Sequence, residues 1–300
     1  MLRFDSNTGR PGPNRAFLNY FCRIVFGLIC IMLISGCNDG QNNERKETEM
    51  NDNAPPISKE VRQALEKIKD HRFLFAHHSV GNNILDGLRA ISQEAGIELN
   101  ITEIETTPPT GSSGLAHFSP GRNTQPKTKI DGFAEQITNL PPDFTPEAAF
   151  LKFCYIDFAP ETDVEEILAY YRNKMEMLKK EHPATTFVHF TVPLTTRPAD
   201  MKSRVKRLLG LQAWGDASNI SRGTFNELLP TTFPGDPVFD IARLESTRPD
   251  GSRTAFTHKG KTYYSLAPEY TDDGGHLNTF GRRMVASAFA VFLAETVTAQ

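Results

Sequence analysis

The sequence predicts one α/β domain built on a mainly parallel sheet, and three observations carry that expectation. Short apolar runs at residues 73–76, 148–158 and 185–194 have the length and composition of strands buried on both faces. Helix-spaced segments lie between them: Ile84, Leu85, Leu88 and Ile91 after the first run, residues 161–182 after the second. No internal repeat interrupts this alternation, so crossover connections and parallel pairing follow. The 300 residues, 39% hydrophobic and 23% charged, suffice for a sizeable core. A formal charge of -3 argues against a nucleic-acid binder, which would carry a basic excess.

Taken in order, the chain opens with Arg3, Arg10, Arg15 and Arg23 and an apolar stretch at 24–34, too short to span a bilayer comfortably. The stretch ends in Ile34-Ser35-Gly36-Cys37, which resembles the lipobox of bacterial lipoproteins: a branched apolar residue, two small ones, and the cysteine that is acylated. The resemblance implies a lipoprotein signal peptide at 1–36 and lipidation at Cys37, with more acyl chains than the single one that holds a protein only marginally at a membrane. The expected location is extracytoplasmic, lipid-anchored in the cell membrane or outer membrane. Asn38, rather than Asp, after the cysteine points to the outer membrane where one exists. Residues 37–58, polar and carrying Pro55-Pro56, read as a flexible tether, which leaves 59–300 as the folded domain. Cys22 and Cys30 fall with Cys37 in the leading segment, so Cys154 alone belongs to the domain. Neither a disulfide framework nor a Cys-based zinc site is expected.

Val61, Leu65 and Ile68 mark a short amphipathic helix before the first strand. After the next helix, Gly96 provides a stop, and residues 97–104 alternate as a half-buried strand. Residues 106–129 read as a long loop in which Gly111, Gly114 and Gly121 would let backbone N–H groups approach a ligand. A short helix at 130–140 follows. His189 lies mid-strand and reads as a core histidine rather than a catalytic one. Residues 202–210 are basic and read as a solvated surface. A helix at 219–229, a short strand at 238–241, an irregular region at 247–270 and a closing helix at 279–297 complete the chain.

The chemistry concentrates in two places. The first apolar run stops at His77-His78-Ser79-Val80-Gly81, which sets Ser79 between a strand end and a helix start. A hydroxyl there is exposed, and its N–H sits near the positive helix end, which suits a nucleophile that must stabilise an oxyanion. The competing role for such a serine is a helix N-cap. Far downstream, Asp273 and His276 stand three residues apart in a Gly-containing loop before a helix. That spacing lets a carboxylate turn back onto the imidazole and fix its tautomer.

With these residues in view, the chain from about residue 72 onward resembles the SGNH, or GDSL-like, hydrolases. His77-His78-Ser79-Val80-Gly81 stands where the family has Gly-Asp-Ser followed by a glycine. Asp273-Gly274-Gly275-His276-Leu277-Asn278 matches the Asp-x-x-His-Leu-Asn block, and Ser221-Arg222-x-x-Phe225-Asn226 is like the Asn-bearing helix of many members. The resemblance implies a three-layer α/β/α flavodoxin-like fold with five parallel strands. It also implies metal-free esterase, deacetylase or acyltransferase chemistry without a cofactor, with Ser79, Asp273 and His276 as the catalytic triad. The expected oxyanion donors are the N–H groups of Ser79 and Gly114. The family's Gly-x-Asn-Asp block falls on Cys154-Tyr155-Ile156-Asp157, so the usual oxyanion Asn is replaced by Ile156; Asn82 and Asn83 are the nearest substitutes in sequence. One of His77 and His78 is expected to bond loop carbonyls. The substrate expected is a small-molecule or glycan acyl ester, acetyl esters included, of the cell envelope or environment. Two other functions remain open: an O-acyltransferase using the same triad, and a non-catalytic, surface-tethered carbohydrate-binding module.

Overall fold

Six strands form a fully parallel sheet, and this places every strand's carboxyl end along one edge. The computed structural model describes residues 56–105, 113–211 and 213–298, all within the unit 53–300. Cys37, the signal segment and most of the tether lie outside the described residues. The strands are β1 (Arg72–Ala76), β2 (Ile101–Glu103), β3 (Gly114–Phe118), β4 (Ala148–Leu151), β5 (Thr186–Phe190) and β6 (Val238–Phe239), in spatial order β2-β3-β1-β4-β5-β6. Helices α1 (Lys59–Ile68), α2 (Val80–Ala95), α3 (Pro126–Thr138), α4 (Val164–Glu181), α5 (Met201–Leu208), α6 (Trp214–Thr232), α7 (Ile241–Ser246) and α8 (Thr279–Thr296) surround it. Among the described residues no helix is long and apolar enough to cross a membrane.

Strand alternation divides the core in two. Phe73, Phe75, Leu115, Phe150, Val188 and Phe190 face α1, α2 and α8. Leu74, Ala76, Ala116, Ala149, Leu151 and Phe187 face α3, α4 and α6. The first layer is dominated by aromatic rings: Phe75, Phe150, Phe190, Phe239 and Phe289 pack at centroid distances of 5.0–5.8 Å. This is the expected three-layer α/β/α architecture, with one strand more than expected.

The extra strand is β3, hidden in the stretch read as a loop. Its five residues are all buried between β1 and β2, and His117, the polar one, breaks the apolar signal that would have announced it. The runs at 97–104 and 148–158 shrink to strands of three and four residues. The region 247–270 is not irregular throughout, since Ala255–His258 (β7) and Lys261–Tyr264 (β8) pair as an antiparallel hairpin. Its turn places Lys259 and Gly260 at φ 48° and 77°, a left-handed pair that gives a tight two-residue connection. His189 is a core histidine: it is fully buried, receives the Tyr171 hydroxyl (2.9 Å), donates to Asp236 (3.0 Å) and stacks on Phe233.

Candidate functional site

At the carboxyl end of β1 the chain turns abruptly into α2, and Ser79 is the hinge. Its backbone sits at φ 51°, ψ -105°, where a non-glycine residue costs on the order of 1–3 kcal/mol. The side chain makes no capping bond to α2, so the N-cap role fails. Instead the Ser79 hydroxyl donates to His276 Nε2 at 2.5 Å. The packing that allows the tight turn is visible at Gly81, where a Cβ would lie 2.3 Å from the His77 ring.

His276 is set by its own loop. Its Nδ1–H donates to Asp273 Oδ2 at 2.5 Å, while the N–H groups of Gly275 and His276 donate to Asp273 Oδ1 at 2.8 and 2.7 Å. The carboxylate thus fixes the tautomer that leaves Nε2 as acceptor toward Ser79. Partial burial works against the Asp273 charge, but the bonds from His276 and Gly275 outweigh it and bring the pKa down to about 2. Asp272 is exposed and takes no part in these bonds, which fixes the register within the pair. Two longer-range bonds hold the loop against the domain. Thr196 N–H donates to Gly274 O at 2.8 Å, and Leu277 N–H donates to the buried Asn83 Oδ1 at 3.0 Å. Asn83 is therefore a clamp on the His276 loop; Asn82 is exposed.

Beside Ser79, a rim is assembled from the segments that follow β3 and β4. His78 Nε2–H donates to Pro120 O at 2.6 Å, and Cys154 Sγ lies 3.6 Å from His78 O. This is the carbonyl bond expected of one of the two histidines. Asp157 joins the two rim segments: it accepts from Cys154 N–H (2.7 Å), Thr124 N–H (2.8 Å) and the Lys129 ammonium (2.6 Å), and both charged side chains are fully buried. Lys129 also reaches Asn123 Oδ1 at 2.8 Å. Ile156 is exposed in this turn and offers no donor. Tyr155 packs the edge of its ring against His276 at 5.7 Å, and its carbonyl receives Arg222 Nε–H at 2.8 Å. Arg222 is 2% exposed and also donates to Thr195 Oγ1 and Asn219 Oδ1. Burial pulls its pKa down to about 10. Asn226, on the same helix, closes the end of β5 by bonding both polar groups of Val192.

Gly114 is not part of this site. It opens β3 beside Arg72, at the amino edge of the sheet, and its N–H is donated to His71 O at 2.7 Å. At ~3.3 Å per residue, the length of β1 separates it from the Ser79 turn. Glycine is required there for a different reason: φ is 103°, and a Cβ would lie 2.2 Å from Asn100 O. His77 is buried and neutral, its pKa driven to about 2 by burial and then by the nearby Lys152, His117, His78 and Arg89 charges. It stacks on Phe75 at 4.6 Å and meets His117 at 3.3 Å.

Asn83, Asp157, Lys129, Tyr155 and Arg222 are the site-building residues that spacing and motif did not single out as such. Asp157 and Tyr155 lay in the Gly-x-Asn-Asp block, Arg222 stood in the Ser221-Arg222-x-x-Phe225-Asn226 motif, and Asn83 was a candidate donor rather than a clamp; Lys129 alone had no signal. Among the described residues no cluster of side chains could hold a metal ion.

No protein-family model matches the chain, and no curated protein does. Solved structures to which the chain is similar include a peptidoglycan O-acetylesterase, at 9% identity over 82% of this chain and 97% of that one, TM-score 0.45. A lipase/acylhydrolase from Enterococcus faecalis is similar at 13% identity over 76% and 96%, TM-score 0.41. The periplasmic domain of a lipopolysaccharide acetyltransferase from Salmonella Paratyphi A is similar at 12% identity over 84% and 95%, TM-score 0.39.

Proposed function

We propose that the chain is a serine esterase or deacylase of the SGNH type, acting on an acyl ester through Ser79, His276 and Asp273. The observation that supports the reading most is the strained Ser79, which forgoes capping α2 and gives its hydroxyl to His276 Nε2 at 2.5 Å. In the proposed reaction His276 takes the hydroxyl proton as Oγ attacks the ester carbonyl, and Asp273 holds the imidazolium that forms. The tetrahedral oxyanion is met by the Ser79 N–H at the amino end of α2. His276 then protonates the leaving alcohol, and water, entering under the same base, releases the acyl group. Transfer to a second alcohol would use the same steps, and product analysis in the presence of glycan acceptors separates the two.

The test is turnover of short p-nitrophenyl esters by the wild-type chain and by Ser79→Ala. Serine-dependent release supports the reading. Release that persists unchanged in Ser79→Ala removes it, and a complete lack of release favours the binding-module function. Lipidation at Cys37 belongs to the same proposal, motivated by Ile34-Ser35-Gly36-Cys37. Incorporation of radiolabelled fatty acid should vanish in Cys37→Ser, and persistent labelling would contradict it.

A further inference from the structure

Of the seven large apolar side chains exposed among the described residues, five fall in one segment: Met201, Val205, Leu208, Leu209 and Leu211. Helix α5, which begins that segment, has no buried residue at all. Met201, Val205 and Leu208 follow one another at spacings of four and three, so they share a face, and Leu208 is 85% exposed. Lys202 and Arg204 are exposed and Lys206 half-buried on the same short helix. Arg207 is the attachment. It donates to both Asp216 carboxylate oxygens (2.7 and 2.9 Å) and to Pro198 O (2.8 Å). The helix is therefore pinned to the domain through a charged residue and turns its apolar side out, the reverse of an ordinary surface helix.

Its position adds meaning. Thr196, in the loop leading from β5 to α5, bonds Gly274 in the loop that carries Asp273 and His276. Helix α5 thus follows directly from the sheet edge that holds Ser79.

We propose that residues 201–211 are a membrane-contacting surface, with the apolar side chains entering the headgroup–acyl boundary and Lys202, Arg204 and Lys206 meeting anionic headgroups. Charge complementarity selects this occupant. A second copy of the same face would bring cations against cations, whereas an anionic bilayer offers each one a counter-charge while accepting the apolar side chains. The inference does not depend on the chemistry at Ser79. Where both hold, the site works at the bilayer surface, on ester groups presented there.

Amide hydrogen exchange on the full chain tests this locally, whatever holds the amino terminus to the vesicle. Exchange is compared in phosphatidylcholine vesicles with and without phosphatidylglycerol. Slowing confined to 201–211, seen with phosphatidylglycerol and relieved by salt, is the expected result. Replacing Lys202, Arg204 and Lys206 together by Gln should raise the lipid concentration for half-protection on the order of a hundredfold, each basic residue near the surface counting for about fivefold. Val205→Ser with Leu208→Ser and Leu209→Ser should abolish the protection while leaving exchange at 271–278 as in the wild type. Identical exchange in both vesicle types overturns the proposal. So does protection that appears without lipid and grows with protein concentration, which would assign the face to a second copy.

Discussion

The two sides of Ser79 are built in opposite ways. The Asp273–His276 side is local: the two residues are positioned by three bonds spanning four consecutive residues, with Thr196 and Asn83 as outside anchors. The rim is tertiary: it joins residues 77–79, 120–124 and 154–157 through the buried Lys129–Asp157 ion pair and a few hydrogen bonds. A local device keeps its geometry when distant residues change. A tertiary one depends on a buried charge that must stay paired, so damage to it registers first as lost stability.

That contrast can be broken by substitution. The largest effect should come from the local side: Asp273→Asn keeps the fold but lowers turnover by up to about four orders of magnitude, as a wrong imidazole tautomer does. Asp272→Asn should leave turnover unchanged, and the opposite pattern in steady-state kinetics would mean that the wrong carboxylate orients His276. On the tertiary side, Asp157→Ala strands the Lys129 ammonium in the core and should cost about 3–5 kcal/mol in urea unfolding. Lys129→Met combined with Asp157→Leu should recover most of that loss, since both charges go together. Equal destabilisation by the single and double changes would show that packing, not charge, holds the rim.

A smaller effect concerns pH. Glu245 is fully buried, accepts the Leu194 N–H, and leaves its second oxygen without a partner among the described residues. Burial pushes its pKa up to about 8 from an ordinary 4.5, against the lowering influence of the Leu194 bond and of Lys152 and Arg222. The folded state therefore holds a proton that the unfolded state has lost between those values. Its stabilising contribution, complete below pH 4.5, declines as pH rises through about 8. Unfolding free energy measured against pH should fall across that window in the wild type and less steeply in Glu245→Gln. Parallel curves would show that Glu245 is charged in the fold.

What was legible in the sequence follows the same division. Strand, serine and helix around Ser79, and Asp-x-x-His before α8, are short-range patterns whose geometry is contained in their spacing. The rim was legible only in part: a carbonyl bond from one of His77 and His78 was expected, but the Lys129–Asp157 pair was not, because its residues meet only after β3 and β4 take their places beside β1. β3 itself was obscured by His117 and by the polar stretch before it. Gly114 was misassigned for that reason: a glycine in a supposed loop suggests approach to a ligand, whereas at the start of a strand it relieves a clash with Asn100. The basic stretch at 202–210 looked like a solvated surface, since charge dominates its composition; only its exposure shows that the interleaved Met, Val and Leu side chains have no core to enter.

The central claim is that Ser79 is an activated nucleophile whose base is His276. A fluorophosphonate probe with peptide mapping tests it most directly. The account predicts one adduct, on the Ser79 hydroxyl, absent in Ser79→Ala and strongly slowed in His276→Ala. Labelling at another serine, or labelling of Ser79 at an unchanged rate in His276→Ala, would contradict it.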